Sequence, residues 1–457
     1  MNNRYLFIAT VVVFILVGAL SASLASVAML LFTLFVGFLF TRIIANNNKE
    51  KNLLMSAFLF SFVLVTFMAT LQWLSINNDW TSFADDNNDH FKFFLASQDG
   101  AQAPSINSIF NDCILGGIYW ENGGYYFLIQ LIAYIANTVL DGNCVLLQQL
   151  GSTAFFVWSS IFLSKTLMHF CPIDKVRYYT FFYVAFCPLI LHSFGIHRDV
   201  HVAFFYMVLI YITLCKKVNV VTISLQLLIA FVLFYFREQH GLFAISFIGL
   251  SLLLSQGRSK WMILIVVLGI FAVFGLTMVY NFIGSNLADT NDYYNAYRNA
   301  QLSGLDSGLG RYVYMLPTPL RELAQIIVLQ MRFPPWGMLE GARNPYAFII
   351  GIEGLLVAFL WFYVFICILS FLFRYRFSQL PKSLRYGIIM ILVFLLLNSS
   401  NLDSRRVVCM YPFIFIPYVY MKEFVAKKYF IKSLNKRYIG FYVSLCFVYL
   451  LFSLIIG

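Results

Sequence analysis

The sequence predicts an all-α, polytopic membrane protein with about thirteen transmembrane helices and two long loops on the outer face. Composition is the first observation behind this fold class: 61% of the 457 residues are hydrophobic and the mean hydropathy is +0.80. No soluble domain of this size needs so much apolar surface. The second observation is that apolar runs of about seventeen or more residues, long enough to cross a bilayer, recur from end to end. The third is the distribution of Lys and Arg among the segments between these runs.

The apolar runs give the transmembrane segments in order. We expect spans near residues 5–22, 24–44, 53–75, 145–168, 178–195, 200–215, 218–236, 240–256, 260–282, 345–373, 386–398, 407–421 and 438–456. The first run is followed by further spans, so we count it as a span and expect no cleaved signal peptide.

The basic residues give the orientation. Segments that this order of spans places on one side hold 21 of the 31 Lys and Arg residues. Because short cytoplasmic loops carry such an excess, we expect the N-terminus in the cytoplasm. The net charge of +11 is therefore a topology signal. It indicates no nucleic-acid partner, because the basic residues are scattered over loops that face anionic lipid headgroups.

One apolar segment, residues 125–140, is expected not to cross. A crossing there would move Lys165, Lys175 and Arg177 to the outer side, against the charge rule. We therefore expect an outer helix that lies in the interface or dips into the membrane without crossing it. The resulting regions are 1–75 with three spans, 76–144 as first outer loop, 145–282 as a six-span core, 283–344 as second outer loop and 345–457 with four spans.

Cysteine usage leaves two alternatives open. Of the eight cysteines, only Cys113 and Cys144 are expected outside the membrane and the cytoplasm. A disulfide between them and two free thiols are both compatible with the sequence. No Cys or His spacing typical of a structural zinc site is present.

The first outer loop opens with an acidic cluster. In the stretch FADDNNDHFKFFLASQDG, residues 83–100, Asp85, Asp86 and Asp89 fall within a chain that is only 11% charged. A solvated acidic loop is one interpretation. The other is a catalytic base or metal ligand held just above the membrane.

Two tight outer turns also carry ionisable groups. The turn after residue 195 holds His197, Arg198 and Asp199, and the turn near 238 holds Arg237 and Glu238. Such groups are costly between spans unless they are paired or used. An Arg198–Asp199 couple and interfacial anchoring are the structural interpretations. The functional interpretation is a second acidic group that faces the first outer loop.

Arginine dominates the outer basic residues. Nine of the ten are Arg, including Arg311 in the second outer loop and Arg405 and Arg406 at the start of a later span. Arg binds phosphate or carboxylate through two parallel hydrogen bonds, so this bias favours phosphate recognition. Snorkelling at the outer interface is the alternative.

Outer-face Asp and Arg at membrane depth fit sugar transfer from a polyprenyl-phosphate or polyprenyl-diphosphate carrier. Such a reaction needs a cation near the phosphate, where negative charge grows as the glycosidic bond breaks. It also needs a carboxylate near the anomeric carbon, which takes the proton of the acceptor hydroxyl.

The order of these elements resembles the GT-C glycosyltransferases over residues 76–260. The stretch DHFKFFLASQDG matches that family's loop motif through Asp89, Phe93, Ala96 and Gly100. The stretch GGYYFLIQLIAYIANTVLDGN is similar to the family's outer juxtamembrane helix, and CPLILHSFGIHRD brings Asp199 to the place of its second acidic residue. The chain departs from the family in lacking an Asp-Glu pair and in having two spans before the span that leads into the loop. Its Arg-rich C-terminal part looks more like bacterial O-antigen and capsule repeat-unit polymerases.

The resemblance implies a transferase or polymerase of surface polysaccharide (O-antigen, capsule or lipopolysaccharide) in the bacterial inner membrane, with a periplasmic or extracellular active face. It implies Asp89, or next Asp86, as the base. Asp199 would orient the acceptor or hold a divalent cation, and Asp86 and Asp89 are the other residues open to Mg²⁺ or Mn²⁺. A reaction without metal stays equally open. The expected donor-phosphate ligands are Arg198, Arg237, Arg311, Arg405 and Arg406, with His197 and Glu238 beside them.

The expected partners are the polyprenyl-phosphate-linked sugar, the lipid bilayer and other polysaccharide-assembly proteins. A flippase for lipid-linked oligosaccharide, or another multi-span transporter, is the alternative from a different class, and a membrane scaffold is a third. Carriers place ionisable groups near the middle of the bilayer and often contain inverted repeats. This sequence contains no evident repeat, and its charges are expected at the ends of spans.

Overall fold

The computed structural model describes residues 3–84, 88–119, 122–254, 313, 315–317, 320–331, 334–375, 377–398 and 405–456. Every regular element within these ranges is helical. Six of the described helices are long and apolar enough to cross a membrane, judged by length and composition. The chain is therefore an α-helical membrane protein. The count of thirteen spans remains a prediction, and the expected span 260–282 lies outside the described residues.

The regular elements in the described part of the N-terminal half are all helices. Its elements are α1 (Asn3–Ser21), α2 (Leu24–Ile44), α3 (Asn48–Asn78), α4 (Trp80–Phe83), α5 (Asp89–Ala101), α6 (Ile106–Ile114), α7 (Gly123–Val139), α8 (Val145–Leu167), α9 (Ile173–Phe186), α10 (Ile190–Ser193), α11 (Arg198–Cys215), α12 (Val220–Phe236) and α13 (Glu238–Leu254).

The described part of the C-terminal half is also helical. It contains α14 (Leu320–Met331), α15 (Gly337–Glu340), α16 (Pro345–Arg374), a 3₁₀ turn (Phe377–Gln379), α17 (Lys382–Asn398), α18 (Arg405–Val408), α19 (Pro412–Tyr420), a π-helical turn (Met421–Val425) and α20 (Lys428–Ile456).

Helix α8 is the centre of the fold. It packs against α2, α3 and α11. Within its most apolar stretch of 18 residues, 94% of the residues are buried inside the protein. The same fraction is only 22% for α1, whose apolar side chains such as Phe7 and Ile15 are largely exposed. Since a helix that is apolar but unburied by protein needs another apolar environment, α1 is suited to contact lipid.

Two expected spans are not continuous helices. The span expected at 178–195 ends as a helix at Phe186, because Pro188 pushes the preceding Cys187 into extended backbone at φ −76° and ψ 134°. The short helix α10 follows it. The span expected at 407–421 divides into α18 and α19, and Pro417 inside α19 precedes the π-helical turn.

The described part of residues 76–144, the expected first outer loop, contains helices α4 to α7. Helix α7 occupies the segment expected to lie in the interface, and it packs closely on α5 and α6. At the end of α7, Asp141 accepts hydrogen bonds from the backbone N–H groups of Leu24 and Ala25, at 2.6 and 2.7 Å, and so caps α2. The loops before α2 and after α7 therefore lie on the same side.

Other ion pairs also join loops that the charge pattern places on one side. Lys165 of α8 meets Glu50 of α3 at 2.5 Å, and Lys175 of α9 meets Glu423. On the opposite side, Arg343 lies 3.6 Å from Asp79. The Lys165–Glu50 and Lys175–Glu423 pairs involve segments expected in the cytoplasm. The Arg343–Asp79 pair joins the two segments expected to be outer loops. The sidedness of these loops is internally consistent, while the direction of the whole chain across the membrane rests on the charge rule.

The cysteines expected outside are both free thiols in this structure. The thiol of Cys113 donates to Oε1 of Gln130 at 3.5 Å, and the Sγ atom of Cys144 lies 3.5 Å from Oγ of Ser26. Each sulfur thus has its own polar neighbour, and the disulfide alternative is not realised.

Candidate functional site

Helix α5 holds Asp89 in its first turn. Asn88 caps the helix by accepting from the backbone N–H of His90 at 3.0 Å. The motif residues Phe93, Ala96 and Gly100 lie on the buried face of α5, which packs on α7. A Cβ at Gly100 would lie 2.4 Å from Cα of Gln130, so only glycine permits this approach. The spacing in the sequence motif is therefore a packing requirement that positions the N-terminus of α5.

Asp89 forms an ion pair with Arg405, the first residue of α18. The two residues are 316 positions apart in the chain. Their side chains are 39% and 34% exposed, so both groups remain accessible. An acid from the first outer loop and an arginine from the C-terminal half thus meet at one point.

His90 joins the same point to the turn before α11. Its ring centroid lies 3.8 Å from that of His197, and its Nδ1 accepts from the backbone N–H of Ile196 at 3.0 Å. A neutral ring that accepts at Nδ1 carries its proton on Nε2. A Cβ at Gly195 would lie 2.0 Å from Cε1 of His90, so the glycine provides the space for this ring.

Both histidines resist protonation. Burial, together with the nearby charge of Arg405, lowers the pKa of His90 to about 4, although the charge of Asp89 opposes this shift. Burial also lowers the pKa of His197 well below its ordinary value, with added repulsion from His90, His192, Arg405 and Arg198. Two neutral imidazoles therefore lie beside the Asp89–Arg405 pair at neutral pH.

Asp199 pairs with Arg237 and not with its neighbour Arg198. The distance from Arg237 Nη1 to Asp199 Oδ1 is 3.4 Å, and the two side chains are 13% and 8% exposed. The Arg198–Asp199 couple, one of the two alternatives open from the sequence, is therefore not the arrangement found. Arg198 is half-buried at the start of α11 and forms no ion pair with another described residue.

The corner between α12 and α13 completes the arrangement. Arg237 ends α12, and the exposed Glu238 begins α13. Further along, the buried His240 lies 3.7 Å, by its Nε2, from the sulfur of Cys409. Because Cys409 directly follows α18, this contact helps to place α18, with Arg405, beside the corner. We call Asp89, His90, His197, Asp199, Arg237 and Arg405 the outer cluster.

Several expected site residues are not placed. Asp86 and Arg311 lie outside the described residues, and the side chain of Arg406 is also outside them, although α18 includes its backbone. Among the described residues, no group of three or more His, Cys, Asp or Glu side chains is arranged to hold a metal ion. The described acids of the expected metal site, Asp89 and Asp199, each face an arginine.

Two residues of chemical interest are absent from the expected set. His90 follows Asp89 directly, and its position in the first turn of a capped helix was the available signal. Glu353 lies inside α16, about two turns from its start, so the charges do not all lie at the ends of spans. Its Oε1 atom is buried and has no hydrogen-bond partner among the residues that the structure describes.

Comparison of the chain with family models, with curated proteins and with solved structures finds no match.

Proposed function

We propose that the chain is a membrane-embedded glycosyltransferase or repeat-unit polymerase that takes sugar from a polyprenyl-(di)phosphate-linked donor. We place its reaction on the outer face of a bacterial inner membrane, in the biosynthesis of surface polysaccharide. The observation that supports this proposal best is the accessible pair of Asp89 and Arg405, which joins a base to a phosphate-binding cation.

The pair suggests an exchange of partners when the donor binds. A donor phosphate or diphosphate is an anion like the carboxylate and fits the same two-pronged face of the guanidinium. It would therefore compete with Asp89 for Arg405. Release from Arg405 leaves the Asp89 carboxylate free to accept a proton.

The sugar is then transferred in a single displacement at the anomeric carbon. The acceptor hydroxyl oxygen forms a bond to the anomeric carbon and gives its proton to Asp89. The bond from that carbon to the phosphate oxygen breaks, and the phosphate leaves with the electron pair while Arg405 stabilises its charge. No general acid is required, because phosphate is a good leaving group.

The remaining outer-cluster residues suit binding and orientation. Arg198 supplies a second cation near His197 and near the Asp199–Arg237 pair. The more buried Asp199–Arg237 pair fixes the turn before α11 relative to the end of α12. The Nε2–H of the neutral His90 is a hydrogen-bond donor for a hydroxyl or phosphate oxygen. In this scheme the reaction has no step through a metal ion.

The proposal is tested with Asp89→Asn and Asp199→Asn in cells that make the polysaccharide. Each variant should insert at the wild-type level yet make no product, and the lipid-linked precursor should accumulate on the outer face. Asp79→Asn is the matched control, because Asp79 also pairs with an outer arginine, Arg343, but outside the cluster. Normal polysaccharide in both cluster variants, or an equal loss in the control, would refute the site.

A transporter or flippase is the second candidate, and Glu353 is the observation that favours it. Ionisable residues inside membrane helices are rare and usually belong to a transport pathway or proton relay. Under this alternative, Glu353→Gln would stop the pathway and the precursor would accumulate on the inner face. Under the transferase proposal, Glu353→Gln keeps most activity, and any accumulated precursor is on the outer face.

A further inference from the structure

A second polar site lies at the opposite end of the helices. A cavity of about 670 Å³ opens between the end of α16 and the start of α20. Its lining includes Arg374, Tyr375, Lys427, Tyr429, Phe430 and Arg437, and we call these residues the inner groove. By the charge pattern this end belongs to the cytoplasmic side.

The cations of the inner groove have no acidic neighbours. No Asp or Glu lines the cavity. Arg374, Lys427 and Arg437 are exposed and form no ion pair with another described residue. Three unneutralised cations around one cavity give a site that attracts an anion.

The side chains that line the groove are held in place by contacts with one another. The guanidinium of Arg374 lies 5.2 Å from the centroid of the Phe430 ring, in a cation–π contact. The hydroxyl of Tyr375 accepts from the backbone N–H of Lys427 at 3.2 Å, and its ring packs edge-on against Phe430 at 5.8 Å. These contacts join the end of α16 to the start of α20, so an anion meets an arranged site.

The position of the groove relative to the membrane indicates which kind of anion it binds. Arg374 lies in the last turn of a helix long enough to cross the membrane, so it lies at interface depth. Beside it, Phe373 is 90% exposed, and Tyr429 on the facing helix is 61% exposed. Exposed aromatic rings next to cations are typical of a surface that meets the headgroup and the first part of an acyl chain.

We propose that the inner groove binds the phosphate group of an anionic phospholipid in the cytoplasmic leaflet. The cations contact the phosphate oxygens, and the exposed rings lie against the glycerol and acyl region. This site is independent of the proposed glycosyl transfer, which takes place at the other end of the molecule.

The test measures lipid binding to the purified full-length protein by native mass spectrometry. Phosphatidylglycerol and phosphatidylcholine with the same acyl chains are titrated separately. Wild-type protein should bind phosphatidylglycerol at least about fivefold more tightly. Arg374→Gln should weaken that binding about fivefold, and Arg374→Gln with Arg437→Gln about twentyfold, from the usual contribution of one surface cation.

Arg42→Gln is the matched control, because Arg42 is also an exposed arginine in the last turn of a candidate span on the same side. It should bind phosphatidylglycerol like wild type. An equal loss in this control, no loss in the groove variants or no preference of wild type between the two lipids would overturn the proposal. Inorganic phosphate at about 10 mM should leave the lipid bound, and displacement would instead assign the site to a free anion.

If the groove variants fail to fold, the wild-type comparison of the two lipids and the phosphate competition still decide the question.

Discussion

The outer cluster and the inner groove both contain arginines at or near the ends of helices, but the neighbours of those arginines differ. In the outer cluster, Arg405 faces Asp89 and Arg237 faces Asp199. In the inner groove, Arg374 lies over the ring of Phe430, and both Arg374 and Arg437 are exposed to solvent. A ligand of the cluster must therefore displace a carboxylate, whereas a ligand of the groove only adds charge.

The two arrangements suit two different functions. A cation held by an acid is oriented and can exchange partners, as a reaction with a charged donor requires. A cation without an acid binds any suitable anion by attraction, with little selectivity. A change in one region should therefore leave the other region unaffected, so that each serves as the reference for the other.

Gly195→Ala should break the outer cluster most severely. The added Cβ would lie 2.0 Å from Cε1 of His90, so the ring and the start of α5 must move. A displacement of about 1 Å of the catalytic groups lowers activity about a hundredfold, and the overpacking costs about 1–3 kcal/mol of stability. Polysaccharide synthesis and thermal unfolding of the purified protein measure the two effects.

Gly341→Ala is the control for this change, because nothing lies within 4 Å of a Cβ at that outer-loop position. It should keep wild-type activity. Both variants should also bind phosphatidylglycerol like wild type, and a loss of lipid binding in Gly195→Ala would show that the two regions are not independent.

Acid should destabilise the outer cluster through His90. The pKa of this ring is about 4 in the folded protein and ordinarily 6.5, so the unfolded chain binds the proton first as pH falls. Stability from this group is therefore complete above pH 6.5 and declines between pH 6.5 and 4, by about 3 kcal/mol at most. The groups that face the ring are Asp89, His197 and Arg405.

The measurement is the unfolding midpoint of wild type and His90→Gln between pH 8 and 4. His90→Gln should be less stable at neutral pH but should lose less stability on acidification. His169→Gln, on the opposite side, should follow the wild-type pH dependence. If wild type and His90→Gln change in parallel, the imidazole of His90 does not titrate as its burial indicates.

Salt should separate the two regions. The screening length falls from about 10 Å at 0.1 M salt to about 3 Å at 1 M, and exposed charges lose most of their attraction over that range. Phosphatidylglycerol binding by the inner groove should weaken about fivefold. The coupling between Asp199 and Arg237, measured with Asp199→Asn, Arg237→Gln and the double variant, should change less, because both side chains are buried.

Equal sensitivity of the two quantities to salt would remove the distinction between a buried pair and an exposed groove.

Asp141→Asn should give the smallest effect. The hydrogen bonds from Ala25 and Leu24 outweigh the effect of burial and lower the pKa of Asp141. The side chain is exposed, so the loss of charge at this cap should cost only about 0.5 kcal/mol. In the wild type, the stability from this carboxylate should be complete above the ordinary pKa of 3.8 and should be lost as pH falls from there through the lowered pKa, because the carboxylate form makes the cap.

Asp112→Asn, in the same loop region, is the control for this variant. Thermal unfolding of both at pH 7 is the measurement, and a larger loss in Asp112→Asn would argue against the cap.

The helices were largely predictable where apolar runs are uninterrupted. The run 24–44 coincides with α2, and the run 145–168 with α8 to within one residue. Prediction failed near Pro188 and Pro412, where the hydrophobic run continues but the backbone cannot. It also failed at the start of α20, which extends into the charged segment from Lys428.

The candidate site was predictable as a set of residue types but not as a set of pairs. The acids near residue 89 and the outer arginines stand out from their apolar surroundings. Nothing local indicates that Arg405 is the arginine that meets Asp89, because 316 positions separate them. His90 was missed because a single histidine beside an acid has no distinctive spacing.

The lengths of the apolar runs and the positions of the basic residues were enough to predict a helical membrane protein and the side of each loop, because hydrophobicity and charge act locally on contact with lipid and water. The tertiary structure decided which charges meet. Asp199 and Arg198 are adjacent in the chain, yet successive residues on a helix point about 100° apart. The packing of α11 against α12 therefore pairs Asp199 with Arg237, and Arg198 forms no ion pair with another described residue.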